Sequence, residues 1–205
     1  CGEWHNPGGF QAGVYQIEVY NKGYLAGTSS IKLKNILVFQ LNIHSMDKRI
    51  LILGSNGQIG TVLTKALVDR YGYDNVFASD IREPKIQIAN FEILDVTDKN
   101  KIAEAIDKHH FNTIYHLAAI LSANGEKNPR LTWNINHDAT VNLFDLCVEK
   151  KIETVFFPSS IAIYGPHTPK INTPQYTSFN PSTVYGISKL TGEMWAEYYH
   201  KRYGL

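Results

Sequence analysis

The sequence predicts an α/β fold built on a doubly wound parallel sheet. Three observations predict it. Short apolar runs alternate with helix-period stretches from residue 50 onward, the pattern of strands joined by crossover helices. The first run, Ile50-Leu51-Ile52-Leu53, ends in a glycine-punctuated turn, Gly54-Ser55-Asn56-Gly57-Gln58-Ile59-Gly60. The chain of 205 residues, 43% hydrophobic, suits one domain of ordinary size with a full core.

Taken in order, residues 1–45 stand apart. They contain no Asp or Arg, several Gly and Ser clusters, and a strand-like alternation around Val14 to Tyr20. No signal-peptide pattern is present, and the lack of arginine argues against a mitochondrial transit peptide. Met46-Asp47-Lys48-Arg49 directly precedes the first strand. The expectation is that Met46 is the natural start, with residues 1–45 a leader upstream of a nucleotide-binding domain over 46–205.

After the glycine turn, Ile59, Val62, Leu63, Ala66 and Leu67 share a helical face expected to be the inner one, and Gly72 is a plausible stop. Residues 75–80 (NVFASD) read as a second strand. Residues 88–95 (IANFEILD) contain a third. Asp98 can cap a helix carrying Ile102, Ala103 and Ile106. Residues 113–119 (TIYHLAA) read as a fourth strand, followed by one long helix after Pro129 with Leu143, Phe144 and Cys147 inside. Residues 154–157 (TVFF) read as a fifth. The Pro- and Thr-rich stretch 161–180 is a loop, and a last helix runs from about Thr183 to His200 or beyond. No internal repeat is seen. The chain then stops just after a helix, where a sheet of this type should continue. The expectation is a molecule lacking its C-terminal strands and small substrate domain.

Bulk properties narrow the function. A formal net charge of +1 offers no electrostatic case for nucleic acid or an acidic membrane, and the apolar runs are too short to span a bilayer. Cys1 and Cys147 form neither a disulfide framework nor a metal cluster, so a reducing, cytoplasmic compartment is expected.

The glycine turn carries the first chemistry. Gly54 permits the tight turn, Gly57 clears space for a pyrophosphate, and Gly60 lets the helix pack closely. The amides at the helix start, with Asn56, Gln58 and Ile59 beside them, then face the anion. Asp80, followed by Ile81, ends the second strand where a carboxylate accepts both hydrogen bonds from an adenosine ribose. A carboxylate repels a 2′-phosphate, which favours NAD over NADP; Arg82 is the neighbouring feature that would favour NADP.

The second constellation is Tyr185-Gly186-Ile187-Ser188-Lys189. Tyr and Lys at i, i+4 share a helix face. An unperturbed tyrosine has a pKa near 10 and is a poor base at neutral pH. An ammonium one turn away favours the phenolate. Ser160, at the end of the fifth strand, can orient a substrate hydroxyl or carbonyl, with Ser159 as a helper. Strand C-termini line the ligand crevice of such sheets, so Ser160 and the glycine loop open onto one edge.

These motifs resemble the extended short-chain dehydrogenases/reductases, the family of nucleotide-sugar epimerases and dehydratases. GSNGQIG resembles their GxxGxxG loop. Asp95-Val96 resembles their adenine-contacting pair, and His116-Leu117-Ala118-Ala119 their HxAA strand end. Asn136 resembles their structural asparagine, although Ala139 stands where most members carry Gly. Ser160, Tyr185 and Lys189 match their catalytic set. The resemblance covers Lys48 to Leu205. It implies a Rossmann-like domain, an NAD cofactor held also by Leu117, Ala118, Ala119, Asn136, Tyr185 and Lys189, and a homodimer through two long helices. His116, at a buried strand end, is expected to be a packing residue.

Within that family, Leu117 to Pro129 (LAAILSANGEKNP) and Pro158 to Lys189 are more similar to the short-chain L-threonine 3-dehydrogenases. That resemblance implies oxidation of L-threonine to 2-amino-3-oxobutanoate, with Ser122 hydrogen-bonding the substrate alongside Ser159, Ser160 and Tyr185. Two alternatives stand beside it: a nucleotide-sugar epimerase or dehydratase using the same catalytic set, and a non-catalytic NAD-binding protein.

Overall fold

Four consecutive apolar residues can all be buried only in a strand that is covered on both faces. Ile50–Leu53 is such a strand in the computed structural model, which describes residues 13–21, 24–33, 48–175 and 177–205. The chain divides into two compact units, Cys1–His44 and Ser45–Leu205. In the first, β1 (Gly13–Asn21) and β2 (Tyr24–Leu33) pair antiparallel, with Gly13 opposite Leu33 and Asn21 opposite Tyr24. The alternation seen at Val14 to Tyr20 lies in β1. The sequence reading missed β2, because Gly27-Thr28-Ser29-Ser30 has the composition of a turn.

The second unit is a five-stranded, wholly parallel sheet: β3 (Ile50–Leu53), β4 (Val76–Asp80), β5 (Asn90–Ile93), β6 (Thr113–His116) and β7 (Thr154–Phe156). The spatial order is β5-β4-β3-β6-β7, and every pairing is parallel. The helices are α1 (Gln58–Tyr71), α2 (Lys99–His109), α3 (Ser122–Gly125), α4 (Pro129–Trp133), α5 (Ala139–Glu149) and α6 (Val184–Tyr203). This is the Rossmann-like, doubly wound arrangement that the sequence predicts.

The two faces of β3 feed two cores. Leu51 and Leu53 pack with Ile102 and Ile106 of α2 and with Leu143 and Cys147 of α5. Ile50 and Ile52 pack with Leu67 of α1, Val76 and Ala78. Each such side chain contributes about 1.5–3 kcal/mol by leaving water. The Cys147 thiol is free and buried, and burial pushes its pKa up to about 12. It is therefore a core residue without thiolate reactivity at neutral pH.

Three local details differ from the sequence reading. Ile59 and Val62 face outward, 62% and 71% exposed, whereas Gly60, Thr64 and Leu67 form the buried stripe of α1. The hydroxyl of Thr64 can be buried because it donates to the Gly60 carbonyl within the helix. The fourth strand ends at His116, not Ala119. The long helix after Pro129 is interrupted by a π turn over Asn134–Asp138, between α4 and α5. The other boundaries fall close to expectation. Asp98 caps α2 by accepting from the Lys101 amide, Thr183 caps α6 by accepting from the Gly186 amide, and Gly72 and Gly204 end their helices at positive φ. No described helix is long and apolar enough to cross a membrane.

Candidate active site

In open parallel sheets, ligands sit beyond the strand C-termini where the strand order reverses. Here the reversal lies at β3, whose neighbours β4 and β6 lead to opposite edges. A cleft of about 310 Å³ opens at this point, lined by Gly54, Asn56, Gly57, Asp80, Ile81, Asp95, Val96 and the backbone run Leu117 to Ala119. All of these are cofactor residues expected from the sequence. The same cleft adds Arg82, Leu94, Ile120 and Ile135. Leu94 and Ile135 lay hidden because each reads as an ordinary apolar neighbour of a polar motif residue. Gln58, Ile59 and Gly60 form the first turn of α1 and do not line this cleft. A larger hollow of about 690 Å³ shares Asn56 and Arg82 with it but contains none of the expected catalytic residues.

The cleft fits a dinucleotide. Asp80 is anchored at both oxygens by backbone amides: Oδ2 accepts from Asn56 N–H at 3.1 Å, and Oδ1 from Ile81 N–H at 2.8 Å. Each carboxylate oxygen keeps a further lone pair for a ribose hydroxyl. The start of α1 carries no side-chain cap, so its first amides are free to meet a phosphate. A Cβ on Gly57 would meet nothing closer than the Gly54 carbonyl at 3.4 Å; the backbone there is open to approach. Gly60 does a different job from the one expected of it. A Cβ there would sit 2.6 Å from the carbonyls of Gly54 and Ser55, inside the loop itself.

Asn136 ties the cleft to α6. Its Oδ1 accepts from Ile120 N–H at 2.8 Å, and its Nδ2 donates to the Ile120 carbonyl at 2.9 Å and to Ser188 Oγ at 3.4 Å. Ser188 Oγ in turn donates to the Tyr185 carbonyl at 2.7 Å. Replacing Asn136 with Ala is expected to leave both backbone groups of Ile120 unpaired and to lower stability by about 2–3 kcal/mol. Chemical denaturation of the two proteins measures this; an unchanged midpoint would remove Asn136 from the structural role.

Tyr185 and Lys189 occupy the first turns of α6, with the Lys189 ammonium 5.8 Å from the centre of the Tyr185 ring. Lys189 is 4% exposed, and burial lowers its pKa to about 8. Ser160 is half-buried four residues beyond the end of β7, and its hydroxyl accepts from Ala162 N–H at 3.2 Å, capping a 3₁₀ turn over Ile161–Ile163. What brings this turn to Tyr185 is Gly186. A Cβ there would lie 2.2 Å from the Ala162 carbonyl, so the helix backbone rests directly on the turn that carries Ser160. Ser159 is exposed next to it. Ser122 is half-buried at the start of α3, a helix fastened to α6 by the Glu126 carboxylate, which accepts from Val184 N–H at 2.8 Å. Glu126 and Gly186 both lie inside stretches that the sequence singles out, but only the contacts reveal what each one does.

His116 is buried, with Nε2 2.9 Å from Thr140 Oγ1. The Thr140 hydroxyl donates to the Asn136 carbonyl, so it accepts from His116, and the imidazole carries its proton on Nε2. Nδ1 is buried and has no hydrogen-bond partner among the described residues. Desolvation, and then the nearby Lys189, push its pKa down to about 3. A neutral packing histidine, not a base, is what this environment dictates.

A parallel sheet with a dinucleotide cleft and an adjoining Ser-Tyr-Lys set defines a class. The chain matches the model of the NAD dependent epimerase/dehydratase family over residues 50–205, and it belongs to that family. It is 44% identical over 162 residues to an uncharacterized epimerase/dehydratase of Staphylococcus saprophyticus, a match covering 77% of this chain and 50% of that protein. Among solved structures, a GalE-like L-threonine dehydrogenase from Cupriavidus necator in its holo form aligns with TM-score 0.75 and 45% identity, over 77% of this chain and 52% of that one. UDP-glucose 4-epimerase from Brucella ovis in complex with NAD aligns with TM-score 0.70 and 25% identity, over 77% and 49%. The chain spans about half the length of the curated relatives it matches. NAD is the cofactor in the family's own description, in line with the carboxylate at Asp80.

Proposed function

We propose that the protein is an NAD-dependent L-threonine 3-dehydrogenase, oxidising the β-hydroxyl of L-threonine to the ketone of 2-amino-3-oxobutanoate. The observation that carries this reading is the contrast between 45% identity to the Cupriavidus threonine dehydrogenase and 25% to the Brucella epimerase, at closely similar fold agreement. When bound, NAD accepts the hydride from the carbinol carbon. The remaining steps belong to this chain. Tyr185, as phenolate, takes the hydroxyl proton. Lys189 favours that phenolate by its charge and holds the nicotinamide ribose. Ser160 orients the reacting oxygen, with Ser159 beside it, and Ser122 bonds the amino-acid end of the substrate. Asp80, Asp95 with Val96, and the first turn of α1 hold the cofactor. A homodimer goes with this reading. On α6, Met194, Tyr198 and Tyr203 present half-exposed or exposed apolar surface suited to a subunit contact.

The test is an assay of the full-length protein with NAD and either L-threonine or UDP-glucose. The expected result is free NADH, formed in step with threonine consumption and absent with the sugar nucleotide. A sugar epimerase returns its hydride within each turnover. Interconversion of UDP-sugars with no net NADH would therefore replace the threonine reading with that one.

A further inference from the structure

Lys189 has a second partner that no sequence motif marks. Its ammonium lies 4.4 Å from the centre of the Phe157 ring, closer than to the ring of Tyr185. That ring is wedged in place. A Cβ on Gly192, one turn beyond Lys189 on α6, would sit 2.5 Å from the ring tip. Phe144 meets the ring edge-on at 6.4 Å, and the His116 imidazole lies at 6.1 Å. A cation held over an aromatic face is attracted by the ring quadrupole, and more strongly where water is excluded. From this geometry we propose that Phe157 is a positioning residue of the active site: its ring face seats the Lys189 ammonium beside Tyr185, and Gly192 makes room for the ring.

The proposal deepens the dehydrogenase reading and rests on it for its consequence in catalysis. Lys189 must keep its charge to support a Tyr185 phenolate, yet desolvation works against that charge. The Phe157 face opposes the loss without introducing an anion, which would compete with the phenolate for the same ammonium. Of the titratable groups on elements packed around α6, His116 of β6 and Tyr185 of α6 itself face the ammonium. Asp145 of α5 is bonded to Tyr199, and His137 of the π turn to Trp195 and Asp138. The neutral His116 adds no positive charge to the chamber, so the ring supplies the attraction.

The test is a proton and carbon NMR titration of lysine-labelled, NAD-free full-length protein, with Lys189 assigned by its disappearance in Lys189→Met. The ε-methylene protons of Lys189 are expected upfield, shifted by the ring beneath them. In Phe157→Leu that upfield shift is lost, and the titration midpoint of Lys189 falls by about 0.5–1.5 pH units. Incorporating 3,5-difluorophenylalanine at position 157 keeps the ring's shape but weakens its negative face. It is expected to keep the upfield shift and still lower the midpoint. Gly192→Ala is expected to displace the ring and lose the upfield shift. A midpoint unmoved by both the leucine and the fluorinated ring overturns the proposal. Failure of the unsubstituted full-length protein to form NADH from L-threonine would overturn the dehydrogenase reading, while leaving these spectra as they are.

Discussion

Tyr185→Phe is expected to cut NADH formation from L-threonine by about 100- to 10,000-fold, the range for losing a positioned general base, while NAD affinity changes little. The substitution removes one hydroxyl and keeps the ring, so the packing of α6 on the turn that carries Ser160 stays in place. The hydroxyl removed is the proton acceptor of the proposed reaction. The electrostatic support for it comes from Lys189, whose pKa burial lowers to about 8. The ammonium is present below about pH 8 and is lost as the pH rises through that value, so the support fades on the alkaline side. Steady-state turnover across pH, paired with calorimetric NAD binding, measures both halves of the expectation. Unchanged turnover in the phenylalanine variant would remove Tyr185 as the base.

Gly54→Ala is expected to be the most damaging substitution in the cofactor half. Gly54 has φ of 85°, a left-handed conformation that side chains other than glycine resist. A Cβ there would lie 2.6 Å from the Ala118 amide nitrogen and 2.7 Å from the Ala118 Cα. Those are backbone atoms at the end of β6 and have no rotamer to change. The turn is also pinned from the other side, because Gly54 and Ser55 N–H both donate to the Ser79 carbonyl at 2.9 Å. Strain and overpacking together predict a loss of about 3–5 kcal/mol, with NAD binding lost as the turn shifts. Gly57→Ala is the control. It has no close neighbour for a Cβ, so its unfolding midpoint should hold while its NAD affinity drops. Equal stability losses in the two variants would show that the steric contact at Ala118 is not what demands glycine at position 54.

How much of this was legible in the sequence depends on the range of the interactions involved. The glycine turn, Asp80 and the Tyr185–Lys189 pair were legible as motifs because each is written in a few consecutive residues. The alternation of strands and helices was legible for the same reason, since periodicity is local. The buried face of α1 agrees with the sequence at Leu67 but not at Ile59 and Val62, because apolar character alone does not decide burial there. Gly60, pressed against the loop, and Thr64, whose hydroxyl is satisfied by the Gly60 carbonyl, hold the inner positions in place of Ile59 and Val62. The assembly of the site was not legible. Glu126 to Val184, Gly186 against Ala162 and Phe157 under Lys189 are contacts between segments far apart in the chain, and no spacing rule announces them. The same holds for the π turn, which places Asn136 against Ile120 but looks like an uninterrupted helix in sequence.

That asparagine has a consequence for how a cofactor is received. β6 ends at His116, yet at Ile120 the chain is gripped by an amide that offers one donor and one acceptor, as an adjacent strand would. The wall of the cleft is thereby tied down at both ends by the fold itself, at Leu117 by the Leu53 carbonyl and at Ile120 by Asn136. Ordering a residue's backbone costs about 1–2 kcal/mol. Along Leu117 to Ile120 most of that ordering is expected to accompany folding, so that little of it weighs against affinity. Cofactor capture should then proceed as docking onto a finished surface, at a rate set by encounter and not by loop closure.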